Sequence, residues 1–429
     1  MNFQETLDYL YESLPVFQKI GGAAFNKDLG KTRLLLSNLN NPHEKFKSIH
    51  IAGTNGKGSI SSMLAAIFQT AGYKTGLYTS PHLKSFTERI KVNGVSINEE
   101  SVIKFVEKTK SLIEEIKPSF FELTVAMAFD YFVAENIDVA IVEVGMGGRL
   151  DSTNVINPEL ALITNISYDH QQFLGDTLPE IAHEKAGIIK EGIPVIISEL
   201  QEACKAVFLN TAQEKNASIL FASEKYKTIK RGFSSGFMQA ELWKEGEPYI
   251  KNILSPLGGN YQLKNIAGVA AAFDLLSGKF TFSPDTFREG IKNVCSLTGL
   301  KGRWQVLNEC PFVVCDTGHN EAGIRETMEQ IKSIAAGKLH LILGFVKDKD
   351  LKKIMPLLPQ KANYYFCQPS ISRALDAEEL REKALVYGLG GIVRRNVNDA
   401  LNLALTQANP EDLIFIGGST FTVADLANI

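Results

Sequence analysis

The chain has 429 residues, of which 45% are hydrophobic and 22% charged, and its 45 Lys and Arg residues against 48 Asp and Glu residues give a formal net charge of -3. This near-average composition excludes a disordered, collagen-like or coiled-coil protein, and the balanced charge does not indicate binding to nucleic acid or to a membrane. The five cysteines have no paired spacing, which excludes a zinc site or a disulfide scaffold and predicts reduced thiols in a cytoplasm. The length predicts two or three domains, and together these features predict a soluble cytoplasmic enzyme.

Apolar residues near the N-terminus recur at helical spacing, and polar residues interrupt them. The apolar positions are Phe3, Leu7, Leu10, Leu14 and Phe17. This pattern predicts an amphipathic surface helix and not a signal peptide. No run of about 18 apolar residues occurs, so the sequence predicts no transmembrane span.

From about residue 48 onwards, short β-rich runs alternate with longer helical patterns, which is typical of a parallel sheet covered by helices. A continuous apolar run such as residues 138–144 is expected for a strand buried on both faces. Between about residues 225 and 258 the composition changes and predicts a small antiparallel patch. The predicted strands of this first series are 48–52, 138–144, 159–166 and 193–198, and the predicted helices are 60–71 and 264–276.

A second alternating series follows a junction near residues 297–302. Its predicted strands are 312–315, 339–343, 364–366, 391–393 and 413–416, and its predicted helices are 321–334, 377–387 and 398–407. We therefore predict an α/β protein of two domains with a cleft between them. Residues 1–297 are predicted to form an N-terminal parallel-sheet domain that carries the antiparallel patch, and residues 298–429 a C-terminal Rossmann-like α/β domain.

A glycine-rich turn, GTNGKGS at residues 53–59, joins the first predicted strand to the first predicted helix. Its glycines let backbone N–H groups face an anion, the helix N-terminus adds a positive dipole, and Lys57 adds a full charge. The spacing departs from the common phosphate-loop pattern, because Ile51 stands where the first glycine is usual. The residues predicted to bind phosphate are Thr54, Asn55, Gly56, Lys57, Gly58 and Ser59, and this loop makes the predicted N-terminal domain a P-loop, ATPase-like one.

This loop and several later segments resemble the ATP-dependent Mur ligase superfamily, in particular its folate branch, the folylpolyglutamate and dihydrofolate synthases. Residues 78–83, YTSPHL, with Phe86 and the ERI triplet at 88–90, are similar to that branch's TSPHL and ERI segment. Residues 145–154, GMGGRLDSTN, are similar to its GLGGRLDATN, and residues 183–190, HEKAGIIK, to its EKAGI segment. Met146 and Ser152 depart mildly from the usual residues.

Three side chains are predicted to hold Mg²⁺. Glu143 interrupts an apolar strand, where a carboxylate is costly unless it is paired or binds a cation. His170 follows another predicted strand, and Ser80 lies at a Ser-Pro turn. Mg²⁺ keeps several waters and takes few protein ligands, so a sparse set is expected. The resemblance further implies that Lys185 is carbamylated in many members, which requires loss of its proton and is favoured by burial.

The resemblance also implies the remaining site residues. Lys57, His170 and Lys185 are the predicted catalytic residues. The predicted substrate-binding residues are His82, Phe86, Arg89, Asp151 and His319, with Arg89 suited to a substrate carboxylate. The predicted ATP contacts outside the loop are Asn265 near adenine, Arg303 at the phosphates and Asp316 at the ribose. Tyr261 stands where a histidine is frequent.

The resemblance therefore implies an ATP- and Mg²⁺-dependent ligase that adds L-glutamate to folates through an acyl phosphate and also converts 7,8-dihydropteroate to dihydrofolate. A monovalent cation is an additional cofactor to consider. The expected partners are small molecules and not nucleic acid or a membrane, and the expected state is a monomer. With ATP on the first domain and Arg303 and Asp316 on the second, domain closure is expected to assemble the site.

Three other functions are open. A cell-wall peptide ligase would act on a UDP-linked precursor, and the TSPHL segment argues against it. A P-loop kinase or NTPase would need no amino acid, and the second α/β domain and the Lys185 segment argue against that. A non-catalytic nucleotide-binding protein would be expected to have lost Lys57, Glu143 or His170, and all three are present.

Overall fold

A computed structural model describes residues 1–15 and 28–429, and Phe17 of the predicted first helix lies outside them. The strands in the described residues are β1 (Lys47–Ala52), β2 (Thr75–Tyr78), β3 (Ile90–Val92), β4 (Val95–Ser96), β5 (Val139–Glu143), β6 (Leu160–Ile163), β7 (Val195–Ile197), β8 (Ile219–Phe221), β9 (Tyr226–Ser234), β10 (Phe237–Lys244), β11 (Glu247–Ser255), β12 (Gln305–Glu309), β13 (Phe312–Cys315), β14 (Leu339–Leu343), β15 (Asn363–Phe366), β16 (Gly391–Val393) and β17 (Leu413–Gly417).

The longer α-helices of the described residues are Phe3–Ser13, Gly30–Asn38, Lys57–Thr70, Glu99–Ile116, Phe120–Ala134, Leu178–Ala186, Glu202–Glu214, Gln262–Leu276, Pro284–Lys292, Glu321–Ile334, Ala377–Leu385 and Val397–Gln407. Shorter helical segments are Pro42–Glu44, Phe86–Arg89, Ser152–Val155, Gln171–Leu174, Ala222–Lys225, Val294–Thr298, Leu351–Ile354, Met355–Leu357 and Thr420–Ala424. Across both described stretches, no helix is long and apolar enough to span a bilayer.

Local sequence accounts for where several of these helices begin. The helix Phe120–Ala134 starts with a capping box in which Ser119 accepts from the Glu122 N–H and Glu122 accepts from the Ser119 N–H. The helix Leu178–Ala186 repeats this arrangement with Thr177 and Glu180. Such boxes satisfy two N–H groups that the helix leaves unpaired and so fix its first turn.

The first sheet has eight strands in the order β4-β3-β2-β5-β1-β6-β7-β8. The strands from β2 to β8 in this order run parallel, whereas β3 and β4 are antiparallel additions at one edge. The order places β2, β5, β1 and β6 side by side. Because the carboxyl ends of parallel strands meet at one edge of a sheet, the loops after these four strands lie next to each other.

The other two sheets are smaller. Strands β9 to β11 form a three-stranded sheet in the order β11-β10-β9, where the sequence predicts an antiparallel patch. The third sheet has the order β12-β13-β17-β14-β15-β16 and is parallel except for β12, which pairs antiparallel with β13. The predicted α/β class is confirmed.

The residues group into two compact units. The first contains residues 1–232, 239–256 and 263–300, and the second contains 233–238, 257–262 and 301–429. The second unit therefore includes two short pieces that precede its main segment in the chain. One of these pieces is bound by Gln330, which donates to the Gly258 carbonyl at 2.9 Å and accepts from the Asn260 N–H at 2.6 Å.

Two expectations about single elements are corrected. The strand predicted at 159–166 spans Leu160–Ile163, because Thr164 and Asn165 bond to the glycine-rich loop at residues 53–59. The helix predicted at 60–71 spans Lys57–Thr70, and every residue from Ser59 to Phe68 is buried. The sequence patterns also did not reveal the helices Glu99–Ile116 and Phe120–Ala134.

Phe68 lies near the C-terminal end of the helix Lys57–Thr70, is fully buried and anchors this helix to an aromatic cluster. Its ring centroid lies 4.8 Å from that of Phe280, 5.0 Å from that of Phe282 and 5.8 Å from that of Tyr73. We expect Phe68→Ala to lower the free energy of unfolding by about 3–5 kcal/mol through the cavity that it leaves. Urea unfolding followed by circular dichroism measures the change.

The matched control is Val386→Ala, because Val386 is 81% exposed. Removal of an exposed apolar side chain should alter stability by less than about 0.5 kcal/mol. Equal losses in the two variants would contradict the anchoring role of Phe68.

Candidate active site

The glycine-rich loop at residues 53–59 follows β1 and is called the phosphate loop here after its predicted role. Two residues that follow the neighbouring strand β6 shape it. The Thr54 N–H donates to the Asn165 carbonyl at 2.8 Å, and the Asn55 N–H donates to Asn165 Oδ1 at 3.1 Å. Thr164 Oγ1 donates to the Asn55 carbonyl. Gly53, at φ +138°, lies so close to Thr164 that a Cβ there would be 1.8 Å from Thr164 Oγ1. Contacts within the protein therefore fix the shape of the loop.

Gly56 caps the helix Lys57–Thr70 and has φ +89°. Gly56 has no side chain, so the N-cap residue itself offers no acceptor to the N–H groups of the first turn. An anion is a natural partner for such an N-terminus, since it meets both the N–H groups and the helix dipole. Asn265, from the start of the helix Gln262–Leu276, packs directly on Gly56: a Cβ at Gly56 would lie 2.5 Å from Asn265 Oδ1. The structure therefore brings Asn265 to the phosphate loop.

Two lysines converge on one backbone carbonyl of the loop. Lys57 Nζ donates to the Gly53 carbonyl at 3.0 Å, and Lys185 Nζ donates to the same oxygen at 2.9 Å. Lys185 is 4% exposed. Burial, followed by the charge of Lys57, lowers the pKa of Lys185 to about 7, against the opposing effect of Asp169 and Asp151. Near neutral pH the loop therefore carries the Lys57 ammonium together with a lysine that is partly neutral.

The predicted metal ligands lie at or after the carboxyl ends of β2, β5 and β6, three parallel strands of the first sheet. Glu143 ends β5 and is 5% exposed, and its Oε2 lies 3.4 Å from the Ser80 N–H, which follows β2. His170 lies in the turn after β6, which is bound to the phosphate loop through the Ser167 N–H and Thr54 Oγ1 at 3.0 Å. The structure thus brings Ser80 to Glu143 and the His170 turn to the phosphate loop.

Among residues 1–15 and 28–429, no three His, Cys, Asp or Glu side chains are grouped so as to hold a metal ion. The predicted trio of Ser80, Glu143 and His170 contains only two residues of those types.

Buried Arg89 is bonded to His82, which is partly buried. Arg89 is 3% exposed, and its Nε donates to His82 Nδ1 at 2.8 Å. Burial, followed by the charge of Arg89, lowers the pKa of His82 to about 3, so His82 is neutral and carries its proton on Nε2. The Arg89 guanidinium also stacks on Phe120 at 5.4 Å, and Phe86 packs against the same ring. Phe86 is 3% exposed and belongs to the core here.

Asp151 is held inside the loop after β5. Its Oδ2 accepts from the Met146 N–H at 2.9 Å, and its Oδ1 accepts from the Thr153 N–H at 3.0 Å and from the Thr153 hydroxyl. The side chain is buried, which raises the pKa of Asp151, whereas the hydrogen bonds to Thr153 and Met146 lower it.

In the second unit, Asp316 directly follows β13 and is 3% exposed. Its Oδ2 accepts from the Tyr261 hydroxyl at 2.5 Å and from the Trp304 N–H at 2.8 Å, and its Oδ1 accepts from the Gly318 N–H at 2.7 Å. Three of its four acceptor positions are thus filled within the unit.

Two more predicted residues contact Thr317, the neighbour of Asp316. Arg303 donates to the Thr317 hydroxyl, and His319 Nδ1 lies 3.0 Å from the Thr317 carbonyl. The structure therefore groups Arg303, Asp316 and His319 within this unit.

Residues 51–273 match the Mur ligase middle domain, and residues 302–420 match the glutamate ligase domain of Mur ligases. The dihydrofolate synthase/folylpolyglutamate synthase of Bacillus subtilis is 31% identical over 423 residues, which cover 93% of this chain and 94% of that protein. The chain belongs to the folylpolyglutamate synthase/dihydrofolate synthase family of Mur ligases.

Solved structures of this family share the fold along nearly the whole chain. The Mycobacterium tuberculosis folylpolyglutamate synthase complexed with ADP has a TM-score of 0.88 and 30% identity, and the match covers 98% of this chain and 96% of that one. Escherichia coli FolC in complex with DHPP and ADP has a TM-score of 0.85 and 28% identity, with coverage of 99% and 96%. The resemblance stated from the sequence and its assignment to the ligases are confirmed.

The sequence patterns did not reveal Thr164 and Asn165, which fix the phosphate loop of this family member. The available signal was two polar residues directly after a buried apolar strand, at the edge where the phosphate loop also begins. The individual roles assigned to the site residues stay predictions.

Gly56 provides a test of the contact with Asn265. In Gly56→Ala, the new Cβ would meet Asn265 Oδ1, which displaces the loop or the amide. We expect affinity for ADP, measured by titration calorimetry, to fall about tenfold or more, a factor that corresponds to about 1.4 kcal/mol.

Gly72→Ala is the matched control, because Gly72 has the same φ of +89° and nothing lies within 4 Å of the position that a Cβ would occupy there. Both variants should lose a similar, small amount of stability from backbone strain. Only Gly56→Ala should lose ADP affinity, and equal affinities in the two variants would refute the contact.

Lys185 provides a test of its lowered pKa. In the unfolded chain its pKa is about 10.5, so between pH 7 and 10.5 the unfolded chain binds a proton that the folded site releases. This difference makes Lys185 destabilising at low pH, and the penalty is largest below pH 7 and disappears as pH rises towards 10.5. The free energy of unfolding of the wild type should therefore rise with pH in this range, by at most about 1.4 kcal/mol per pH unit. We expect Lys185→Met to lack this rise, and urea unfolding at several pH values measures it.

Lys104→Met is the control for this test, since the Lys104 side chain is 71% exposed. Its pH dependence should follow that of the wild type. A Lys185→Met profile parallel to the wild type would show that Lys185 is not titrating in this range.

Proposed function

We propose that this chain is an ATP-dependent ligase that joins L-glutamate to a folate and also converts dihydropteroate to dihydrofolate. The observation that carries the proposal is the convergence of Lys57 and Lys185 on the Gly53 carbonyl, beside a helix N-terminus whose N-cap residue is a glycine. This is a site for a polyphosphate. The Bacillus subtilis relative is named for both activities, and the Escherichia coli relative was solved with DHPP and ADP.

A carboxylate acylates an amine poorly in water because its leaving group is poor. Attack of the folate carboxylate on the γ-phosphate of ATP forms an acyl phosphate and releases ADP. The amine of L-glutamate then attacks the acyl carbon, and the C–O bond to phosphate breaks as the amide forms. The protein contributes positioning and charge neutralisation. Lys57 and the helix N-terminus supply these at the phosphates.

The predicted Mg²⁺ site fits the chemistry of its donors. Glu143 is a buried carboxylate near Ser80, and oxygen ligands are those that a hard cation prefers. We propose that Ser80, Glu143 and His170 hold Mg²⁺, which would draw charge from the phosphate oxygens when bound. We also propose a monovalent cation as an additional cofactor.

Lys185 is proposed to carry a carbamate. Its neutral amine would attack CO₂, so that an N–C bond forms and one proton leaves, and a cation becomes an anion. The pKa of about 7 supports this, because a lysine must be neutral to react. The Gly53 carbonyl would then lose one of its two ammonium donors.

The substrate and nucleotide residues follow the family resemblance. We propose that His82, Arg89 and Asp151 contact the pterin substrate through the loops after β2 and β5, with Phe86 shaping the wall behind them. Asn265 contacts adenine. In a C-terminal domain that begins near residue 298, Arg303 contacts the phosphates of the nucleotide, Asp316 its ribose, and His319 the L-glutamate substrate. With one acceptor position left, Asp316 would accept a single ribose hydroxyl.

Phosphate release in the presence of Mg²⁺ and L-glutamate tests this function, with dihydropteroate, tetrahydrofolate or no pterin in parallel. We expect release only with a pterin, and both pterins should be active. Lys57→Ala should abolish release, whereas Lys45→Ala, at an exposed position, should retain it.

Release without a pterin would identify an NTPase and refute the ligase. No phosphate release with either pterin, together with release in the presence of a UDP-linked peptide precursor, would identify the chain as a cell-wall peptide ligase. Wild-type turnover in Lys57→Ala would refute the role of the phosphate loop.

A further inference from the structure

His50 lies in β1, three residues before the first glycine of the phosphate loop, and is fully buried. Its Nε2 lies 2.9 Å from Thr153 Oγ1, and Thr153 is also fully buried. The Thr153 hydroxyl and N–H both reach Asp151 Oδ1. The three side chains therefore form a continuous polar chain from the central strand of the sheet to the loop that follows Glu143.

The direction of this chain is fixed by counting protons. A hydroxyl has one proton, and that of Thr153 goes to Asp151, whose carboxylate also accepts the N–H groups of Met146 and Thr153. Thr153 Oγ1 must then accept from His50, so the proton of the His50 ring is on Nε2. The other ring nitrogen, Nδ1, keeps a lone pair.

His50 Nδ1 has no hydrogen-bond partner among the described residues. A buried polar atom without a partner costs free energy that an apolar side chain would avoid. Packing alone would thus favour leucine or phenylalanine in this strand. The bond from Nε2 to Thr153 gives a reason for histidine.

The segment that receives this bond is held at other points as well. Asn154 Nδ2 donates to the Gly187 carbonyl at 2.9 Å, and Lys190 Nζ donates to the Asn154 carbonyl at 2.8 Å. These bonds fix the backbone beside Thr153. They do not involve the Thr153 hydroxyl, whose partners are Asp151 and His50.

We propose that His50 is a positioning residue for the ligase reaction: by donating to Thr153 Oγ1, it directs the Thr153 proton to Asp151 and so fixes the Asp151 carboxylate for the pterin substrate. This inference rests on the proposed function, in which Asp151 binds that substrate. Without the donor, the Thr153 hydroxyl turns away and Asp151 loses one of its internal bonds. The carboxylate then rotates from its position in the loop.

The test uses steady-state kinetics with ATP and dihydropteroate varied separately. His50→Leu and Thr153→Val each remove one link, and each should raise KM for dihydropteroate about tenfold, as expected for one hydrogen bond to a charged group. KM for ATP and kcat should change less than about twofold. The double variant should be no worse than either single variant, because both break the same chain.

Conservative variants show whether the hydrogen bond or the packing matters. Thr153→Ser keeps the hydroxyl and His50→Gln keeps a donor, and both should recover most of the lost affinity. His340→Leu is the matched control: His340 is also fully buried on a parallel strand and bonds a hydroxyl, Tyr365 Oη, at 2.9 Å. It should lose stability without a selective rise in KM for dihydropteroate.

The outcomes separate the two proposals. Wild-type protein without pterin-dependent phosphate release would overturn the proposed function and, with it, the role of His50. An active wild type, with His50→Leu and Thr153→Val unchanged or with additive losses, would overturn the role of His50 alone. If His50→Leu fails to fold, Thr153→Val and ¹⁵N NMR of ring-labelled histidine carry the test, and a His50 proton found on Nδ1 would overturn the inference.

Discussion

Two basic side chains meet at one backbone oxygen, and the site of the first unit is arranged around this meeting. Lys57 and Lys185 come from different helices, and both donate to the Gly53 carbonyl. Two ammonium groups this close repel each other, more strongly in a buried site than in water. Burial and this repulsion together lower the pKa of Lys185 to about 7, and an anionic ligand would relieve the repulsion further. The positive charge of the loop is therefore the physical basis of the proposed phosphate site.

The sheet explains why so many groups reach this point. Four parallel strands, β2, β5, β1 and β6, stand side by side and end at the same edge. Their carboxyl ends and the segments after them supply Ser80, Glu143, the phosphate loop and the turn that carries His170. A register shift of one residue in β1 would turn His50 and its neighbours to the opposite face. Strand order thus brings together residues that are distant in sequence.

Much of this could be predicted from sequence where the signal is local. The phosphate loop is one such case, because glycine, lysine and an apolar helix follow one another directly, and the strands of the third sheet are another, because each is a short apolar run between helical patterns. The predicted bounds of β13, β14 and β16 equal the observed ones. The family resemblance extended the predictions to individual site residues whose roles cannot be inferred from a local pattern.

The remainder depends on contacts between distant segments. Thr164 and Asn165 look like the end of a strand, and only the neighbouring β1 makes them supports of the phosphate loop. Arg89 is predicted to meet a substrate carboxylate, yet it also holds His82 and stacks on Phe120 from a separate helix. Neither partner is visible in a linear pattern, because burial and ring stacking are decided by the tertiary fold.

The bonds of Asp316 and Gln330 bear on how this protein could be divided or recombined in evolution. Both residues take partners from residues 257–262, which precede the main segment of their unit in the chain. A gene fragment that begins at the linker before residue 301 would encode the third sheet but not Tyr261 or Gly258. It would leave a buried carboxylate and a buried amide short of partners. The segment from residue 301 onwards is therefore not a module that one crossover can transplant, and residues 257–262 must be inherited with it.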